Sequence, residues 1–127
     1  MGLDVSHDAF HGSYTMFNHW RSEVWKAAGG TVVVDEEGDP APDLPWDEYE
    51  ERNYEGDWSE PPDDPLLVLM IHSDHSGEIW PSEGRLLADR LESLIPSLPE
   101  GGDREVTRQF VAGLRAAARD DAVIVFE

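Results

Sequence analysis

The stretch "PLLVLMIHSDHSGEIWP", residues 65–81, decides how the chain is read. Its first seven residues form an unbroken apolar run. The next seven hold two histidines, an aspartate and a glutamate. An apolar run of this length, bounded by a proline and a turn, predicts a strand covered on both faces. In the turn, Ser73, Asp74 and Ser76 have side chains that bond nearby backbone amides. Gly77 supplies a positive φ where the turn needs one. Pro81 suits the first turn of a following helix.

That helix reads "SEGRLLADRLESLI", with Leu87, Leu91, Leu94 and Ile95 inward, and Pro96 and Pro99 close it. Asp103 is placed to cap the next helix, "REVTRQFVAGLRAAARD", whose stripe is Val106, Phe110, Leu114 and Ala117. Arg104, Arg108, Arg115 and Arg119 fall mainly around its other side, where they balance the acidic surface. "AVIVF" at the end reads as a strand. In the other direction, "GLDVS" alternates as a short strand, and Ser13 caps the helix "YTMFNHWRSEVWKAA". Tyr14, Phe17, Val24, Trp25 and Ala28 recur there at helical spacing, and Trp20 widens the stripe. Gly29 and Gly30 end it. Trp20, Trp25 and Trp80 are assigned to the core, and "TVVV" at 31–34 to a short strand. The expected fold is α/β or α+β: one domain over residues 1–127, a small three- to four-stranded sheet with three helices, and a long acidic, proline-rich loop at about 35–65.

Composition narrows the function classes. The 127 residues carry a net charge of −19 with one lysine, Lys26. Proteins that hold nucleic acid neutralise phosphates with Lys and Arg, so direct binding to DNA, RNA or an anionic membrane is disfavoured and a basic partner protein fits better. There is no cysteine, which removes disulfides, thiol catalysis and thiolate metal sites. No apolar run approaches the roughly 20 residues needed to cross a bilayer. The opening residues do not read as a secretory leader, and the expected location is the cytoplasm. Half of the acidic residues fall in residues 35–65, where Arg52 is the single basic residue. Trp46, Tyr49, Tyr54 and Trp58 are interleaved with them, against the aromatic-poor habit of disordered acidic segments. These rings are candidates for closing over the domain or docking on a partner. A third reading of the segment is mimicry of a nucleic-acid backbone.

Two histidine-bearing segments stand out: "SHDAFHG" after the first strand and "HSDHSGE" after the apolar run. If those strands are parallel neighbours, both segments reach one sheet edge, where ligand sites of open α/β sheets form. Asp4, His7, Asp8, His11, His72, Ser73, Asp74, His75 and Glu78 would then surround one pocket. Imidazoles and carboxylates can hold zinc or manganese. His7, His72, Asp74 and His75 are the candidate ligands, and such a divalent metal would activate water. Without metal, a His–Asp pair serves as a general base and its orienter. A purely structural use of the same residues, in turns and buried hydrogen bonds, stays open beside these.

"MGLDVSHDAFHGSYTMFNHWR", "HSDHSGEIWPSEGRLLADRLESLIPSLP" and "TRQFVAGLRAAARDDAVIVFE" together resemble a group of small uncharacterised phage and prophage proteins. The likeness covers the first thirty residues and roughly 66–127, not the acidic loop. Where that group carries Cys-Asp, this chain has His75 and Ser76, and histidine replaces cysteine as a ligand but not as a nucleophile. The resemblance implies origin and fold, and a place in the host cytoplasm, more than an activity. The reading that follows is a non-enzymatic accessory protein that blocks a host protein, including a defence component, or sequesters a small nucleotide-like ligand. The alternatives are a metal-dependent hydrolase using His7, His11, His72, Asp74 and His75, and an acidic mimic of nucleic acid. Aromatic residues on the first helix leave a homodimer open.

Overall fold

The computed structural model describes residues 2–44, 64–72 and 77–127. Trp46, Tyr49, Tyr54, Trp58, Ser73, Asp74 and His75 lie outside the described residues. The elements in order are β1 (Gly2–Val5), β2 (Phe10–Ser13), α1 (Tyr14–Ala27), β3 (Val32–Val34), β4 (Pro40–Pro42), α2 (Leu66–Met70), β5 (Gly77–Ile79), α3 (Pro81–Leu94), a short 3-10 turn (Ile95–Ser97), α4 (Gly102–Arg119) and β6 (Ile124–Phe126). This is a mixed α/β fold with a four-stranded sheet in the order β2-β1-β6-β5 and a separate two-stranded sheet, β3-β4.

The largest departure from expectation is the apolar run itself. Residues 66–70 are helical, and every residue from Leu66 to His72 is buried. Continuous burial fits a strand or a helix equally well. Leucine and methionine favour the helix, and Val68 is the one β-branched residue within α2. The entry is prepared by Asp64 and Pro65. The Asp64 carboxylate accepts the Leu66 N–H (3.0 Å), and its carbonyl accepts that of Leu67 (3.0 Å). Arg90 on α3 holds the same carboxylate at 3.2 Å.

The four-stranded sheet also differs. Every pairing among the described residues is antiparallel: β1 with β2, β1 with β6, and β5 with β6. The expected parallel neighbours are therefore absent there. The segment "SHDAFHG" instead makes a tight turn and returns as β2. His7 and Asp8, with φ of 59° and 57°, take the left-handed region that such hairpin turns demand. Ser6 ties the turn to β6, donating its N–H to the Val125 carbonyl (2.9 Å) and accepting the Val125 N–H at Oγ (2.8 Å).

Among the described residues, one face of this sheet is covered and the other carries exposed side chains. Leu3, Val5, Phe10, Ile79, Ile124 and Phe126 point into the core, while Asp4 and His11 alternate outward. Helix α1 supplies Phe17, Trp20 and Val24 to that core. Ser13 caps it as expected, accepting the Met16 N–H at 3.1 Å. Gly29 follows its end at φ 91°. The α1 rings pack inward: Phe17 and Trp20 are buried, and Tyr14 and Trp25 are half-buried. Trp80 is the correction among the tryptophans, being 47% exposed. Pro81 opens α3, whose Leu87, Leu91 and Leu94 are buried. Asp103 does not cap α4. Gly101, at φ 115°, holds that position, and Asp103 sits in the first turn, where its charge still favours the helix N-terminus.

Helix α4 crosses close to the β1–β2 turn. A Cβ added at Gly113 would lie 2.5 Å from that of Ala9. Gln109 Nε2 donates to the Asp8 carbonyl beside this contact (2.9 Å). Gly113→Ala is expected to lower unfolding stability by about 1–3 kcal/mol through overpacking. Gly102→Ala, with open space around it, should leave stability level within about 0.5 kcal/mol. Urea unfolding of the two variants checks this, and equal stabilities would disprove the close approach.

Candidate functional site

Among the described residues, the candidate site residues His11 and His72 fall on opposite faces of the sheet. On the open face, His11 lies between two carboxylates. Its Nδ1 is 2.9 Å from Asp4 Oδ1 and its Nε2 is 2.6 Å from Asp8 Oδ1. The β1–β2 register sets Asp4 opposite His11, and the turn brings Asp8 to the ring's other edge. These two hydrogen bonds, first to Asp4 and then to Asp8, raise the His11 pKa above 6.5. With both nitrogens engaged, the ring donates twice as an imidazolium. It then has no lone pair for a metal or for taking a proton from a substrate. His7 is exposed and touches Ser6 Oγ through Nδ1 (3.2 Å).

His72 belongs to the core side. It is 3% exposed, and its ring lies 4.0 Å from that of Phe126. Its Nε2 is 3.0 Å from the Glu78 carbonyl oxygen, which fixes the proton on Nε2. Glu78 thus meets His72 through its backbone. Its residue pairs across the ladder with Val125, outside the buried row formed by Ile79, Ile124 and Phe126. Asp4 and His11 therefore form one cluster, and His72 with the Glu78 backbone another. Among the described residues, no three histidine or carboxylate side chains are placed to share a metal ion.

A separate concavity lies beside α1. A cleft of about 670 Å³ opens between α1, the β3–β4 hairpin and the C-terminal end of α2. Leu44, Met70 and Ile71 give it an apolar floor, and His72 reaches it from the core. Tyr14, Asn18 and Arg21 line it from α1, at the i, i+4, i+7 spacing of one helix face. Asp35, Glu37 and Asp39 line it from the hairpin tip and are exposed. The first part of the expected acidic loop is thus a folded hairpin. Asp35 makes its turn, with its carboxylate accepting the N–H groups of Glu37 and Asp39 (2.9 Å each). Gly38, at φ 87°, supplies the left-handed residue of the loop.

Arg21 connects this cleft to the buried helix. It is 8% exposed, and its Nη1 donates to the carbonyls of Leu69 (3.0 Å), Met70 (3.4 Å) and His72 (2.6 Å). It also bonds Asn18 and lies over the Phe17 ring, 4.6 Å from its centroid. Leu69 and Met70 belong to the last turn of α2 and His72 follows its C-cap, so a cation there meets the favourable end of the helix dipole. Arg21 and Asn18 were not among the residues singled out from sequence. Their signal is the pair of polar residues three apart beside the apolar stripe of α1, followed by Ser22, which is also buried.

A smaller depression of about 320 Å³ lies between α3 and α4, lined by Arg108, Arg115 and Arg119. Arg115 is held there by Asp89 (3.1 Å) and Glu92. Arg104 is likewise used internally, donating to the carbonyls of Leu98 (3.0 Å) and Pro96 (3.3 Å). No helix among the described residues is long and apolar enough to cross a membrane.

Two outcomes follow. Arg21→Met should cost about 3 kcal/mol in urea unfolding, since it strands buried carbonyls. Arg21→Lys should recover only part of this, because lysine lacks the planar fork. For His11, the folded pKa lies above the unfolded value. Its contribution to stability is therefore fully present below pH 6.5 and fades as pH rises through the folded pKa. NMR titration should place the His11 pKa above 6.5 and show it falling in Asp8→Asn. An unchanged titration in that variant would contradict the contact.

Compared with known proteins, the chain matches no family model, no curated protein and no solved structure, so its own residues carry the functional reading.

Proposed function

We propose that this is a non-enzymatic binding protein whose cleft takes a positively charged side chain from the surface of a partner protein. The observation that carries the reading is the make-up of the cleft: an apolar floor of Leu44, Met70 and Ile71 beneath a lip of three carboxylates, Asp35, Glu37 and Asp39. Such a lining suits the aliphatic stem and charged head of lysine or arginine. The net charge of −19 acts in the same direction, drawing a basic partner in at long range. A phosphate-bearing ligand would meet these carboxylates at close range, so a nucleotide fits the lip less well than a basic group.

The reading accords with an accessory protein that blocks a host protein, which the small size, the acidity and the phage-like resemblance motivate. A metal-dependent hydrolase draws less support from the described residues. His11 has both nitrogens engaged, and His72 donates from Nε2 to a backbone carbonyl. An acidic mimic of nucleic acid would present a spread of charge, whereas the cleft favours one inserted side chain.

The double variant Glu37→Gln/Asp39→Asn tests the proposal. Asp35 is spared because its carboxylate holds the turn. The probes are short peptides carrying one arginine or lysine between apolar residues, with binding measured by calorimetry. The wild type should bind them, more weakly at 500 mM salt than at 50 mM, as expected for exposed charges. The double variant should bind about tenfold more weakly, or about 1.4 kcal/mol, with an unchanged melting temperature. Equal affinity in the variant, or amide shifts that avoid Tyr14, Asn18 and His19, would refute it.

A further inference from the structure

We infer that the outer edge of β3 is a docking edge that takes an extended basic segment of the partner as an added strand. This rests on the reading of the cleft as a site for a basic partner and extends it to the backbone.

The register of the hairpin carries the argument. Val32, Val33 and Val34 stand opposite Pro42, Ala41 and Pro40. The Asp43 N–H donates to the Thr31 carbonyl (2.8 Å), and the Asp35 N–H to the Asp39 carbonyl (2.9 Å). These are hydrogen-bonded pairs of an antiparallel ladder, and such pairs alternate with non-bonded ones. Val33 and Ala41 form the bonded pair between them. Val32 and Val34 therefore direct their N–H and C=O groups away from β4. On the β4 side the outward positions are Pro40 and Pro42, which have no N–H to offer. The Pro40 carbonyl is already taken by the Ser22 hydroxyl (3.1 Å). One edge of the hairpin is thus closed by proline and by α1, and the other is unpaired among the described residues.

Open edges are normally blunted by a lysine, a proline, a bulge or a covering element. β3 has three valines instead, with Val33 43% and Val34 72% exposed. Among the described residues, nothing pairs with its outer edge. Strand addition onto such an edge draws affinity from the main chain and specificity from alternate side chains. Val33 lines the cleft, and Val34 points to the opposite face by alternation. An added strand would lay every second side chain over the cleft and its carboxylates, and the others beside Val34. The occupant is therefore an extended segment alternating basic and β-branched residues. Asp35, Glu36 and Glu37 follow β3 directly and are exposed. They disfavour a second copy of this acidic chain at the same edge and favour a basic strand.

The probe is a nine-residue peptide of alternating arginine and valine, with two analogues, each N-methylated on one alternate set of amides. Strand addition predicts an asymmetric result: one analogue binds at least tenfold more weakly, and the other matches the parent. It also predicts at least tenfold slower amide exchange at Val32 and Val34 in the saturated complex. Val34→Pro should weaken the parent peptide by a similar factor while its hairpin amide signals persist. Equal binding by the parent and both analogues, or fast exchange at Val32 and Val34 in the saturated complex, overturns the inference and leaves a purely electrostatic contact. Failure of the nine-residue peptide, with single-arginine peptides still seated in the cleft, overturns the strand edge alone. Failure of every basic probe removes the reading of the cleft with it.

Discussion

A short helix buried on all sides has to satisfy both of its ends inside the protein. Helix α2 is five residues long, and its apolar side chains explain why it is buried. They do nothing for its terminal amides and carbonyls, each of which would cost free energy if left unmet away from water. Asp64 answers at one end and Arg21 at the other. The consequences spread from these two side chains. Asp64 is held by Arg90, which fixes α2 against α3. Arg21 comes from α1, so the same guanidinium that closes α2 sets the distance between the two helices. The cleft occupies the space beside that contact. Its polar wall is a by-product of how the buried helix is terminated.

Around this arrangement the core is aromatic. Phe17 on α1 meets Phe10 from β2, Trp20 from its own helix, Phe110 from α4 and Phe126 from β6, at ring-centroid distances of 5.2 to 6.5 Å. Trp20 also donates its indole N–H to Thr107 on α4 (2.9 Å), and Thr107 passes a hydrogen bond to the Asp103 carbonyl (2.7 Å). Edge-to-face and tilted ring contacts have preferred geometries, so this cluster fixes orientation as well as burying area. It also explains why the histidines part company. His72 joins the ring cluster through Phe126, on the covered face of the sheet. His11, next in sequence to a core phenylalanine, is turned by the strand's two-residue period onto the open face.

Charge and backbone chemistry meet at the β3–β4 hairpin. Acidic residues and prolines at this density would suggest a segment without regular structure. Here the prolines stand where a β-ribbon can use them, at the positions whose N–H groups would face away from the partner strand. The acids gather at the tip and along the cleft, where water keeps them solvated. The result is a negatively charged lip with one edge closed by proline and, among the described residues, one edge unpaired.

Several features were legible in the sequence because they rest on local rules. Ser13 as a cap, Pro81 at a helix start, the inward leucines of α3, the C-terminal strand and the short strand of valines all follow from neighbours within one or two turns. The positive φ of Gly77 does too. The candidate site was less legible. His72 was visible as a polar residue closing an apolar run, but Arg21, with Asn18 bonded to it, matters through carbonyls some fifty residues away, which no local pattern reveals. The choice between helix and strand for residues 66–70 was likewise not local. Unbroken burial erases the periodicity that tells the two apart. What the sequence by itself determined is that this segment must be buried, that the chain is strongly acidic, and where most helices begin and end. Tertiary structure alone decided that the buried run is a helix and that His11 and His72 face opposite sides of the sheet. It also decided that a cleft forms at Arg21, because those outcomes depend on which distant groups arrive to satisfy the backbone.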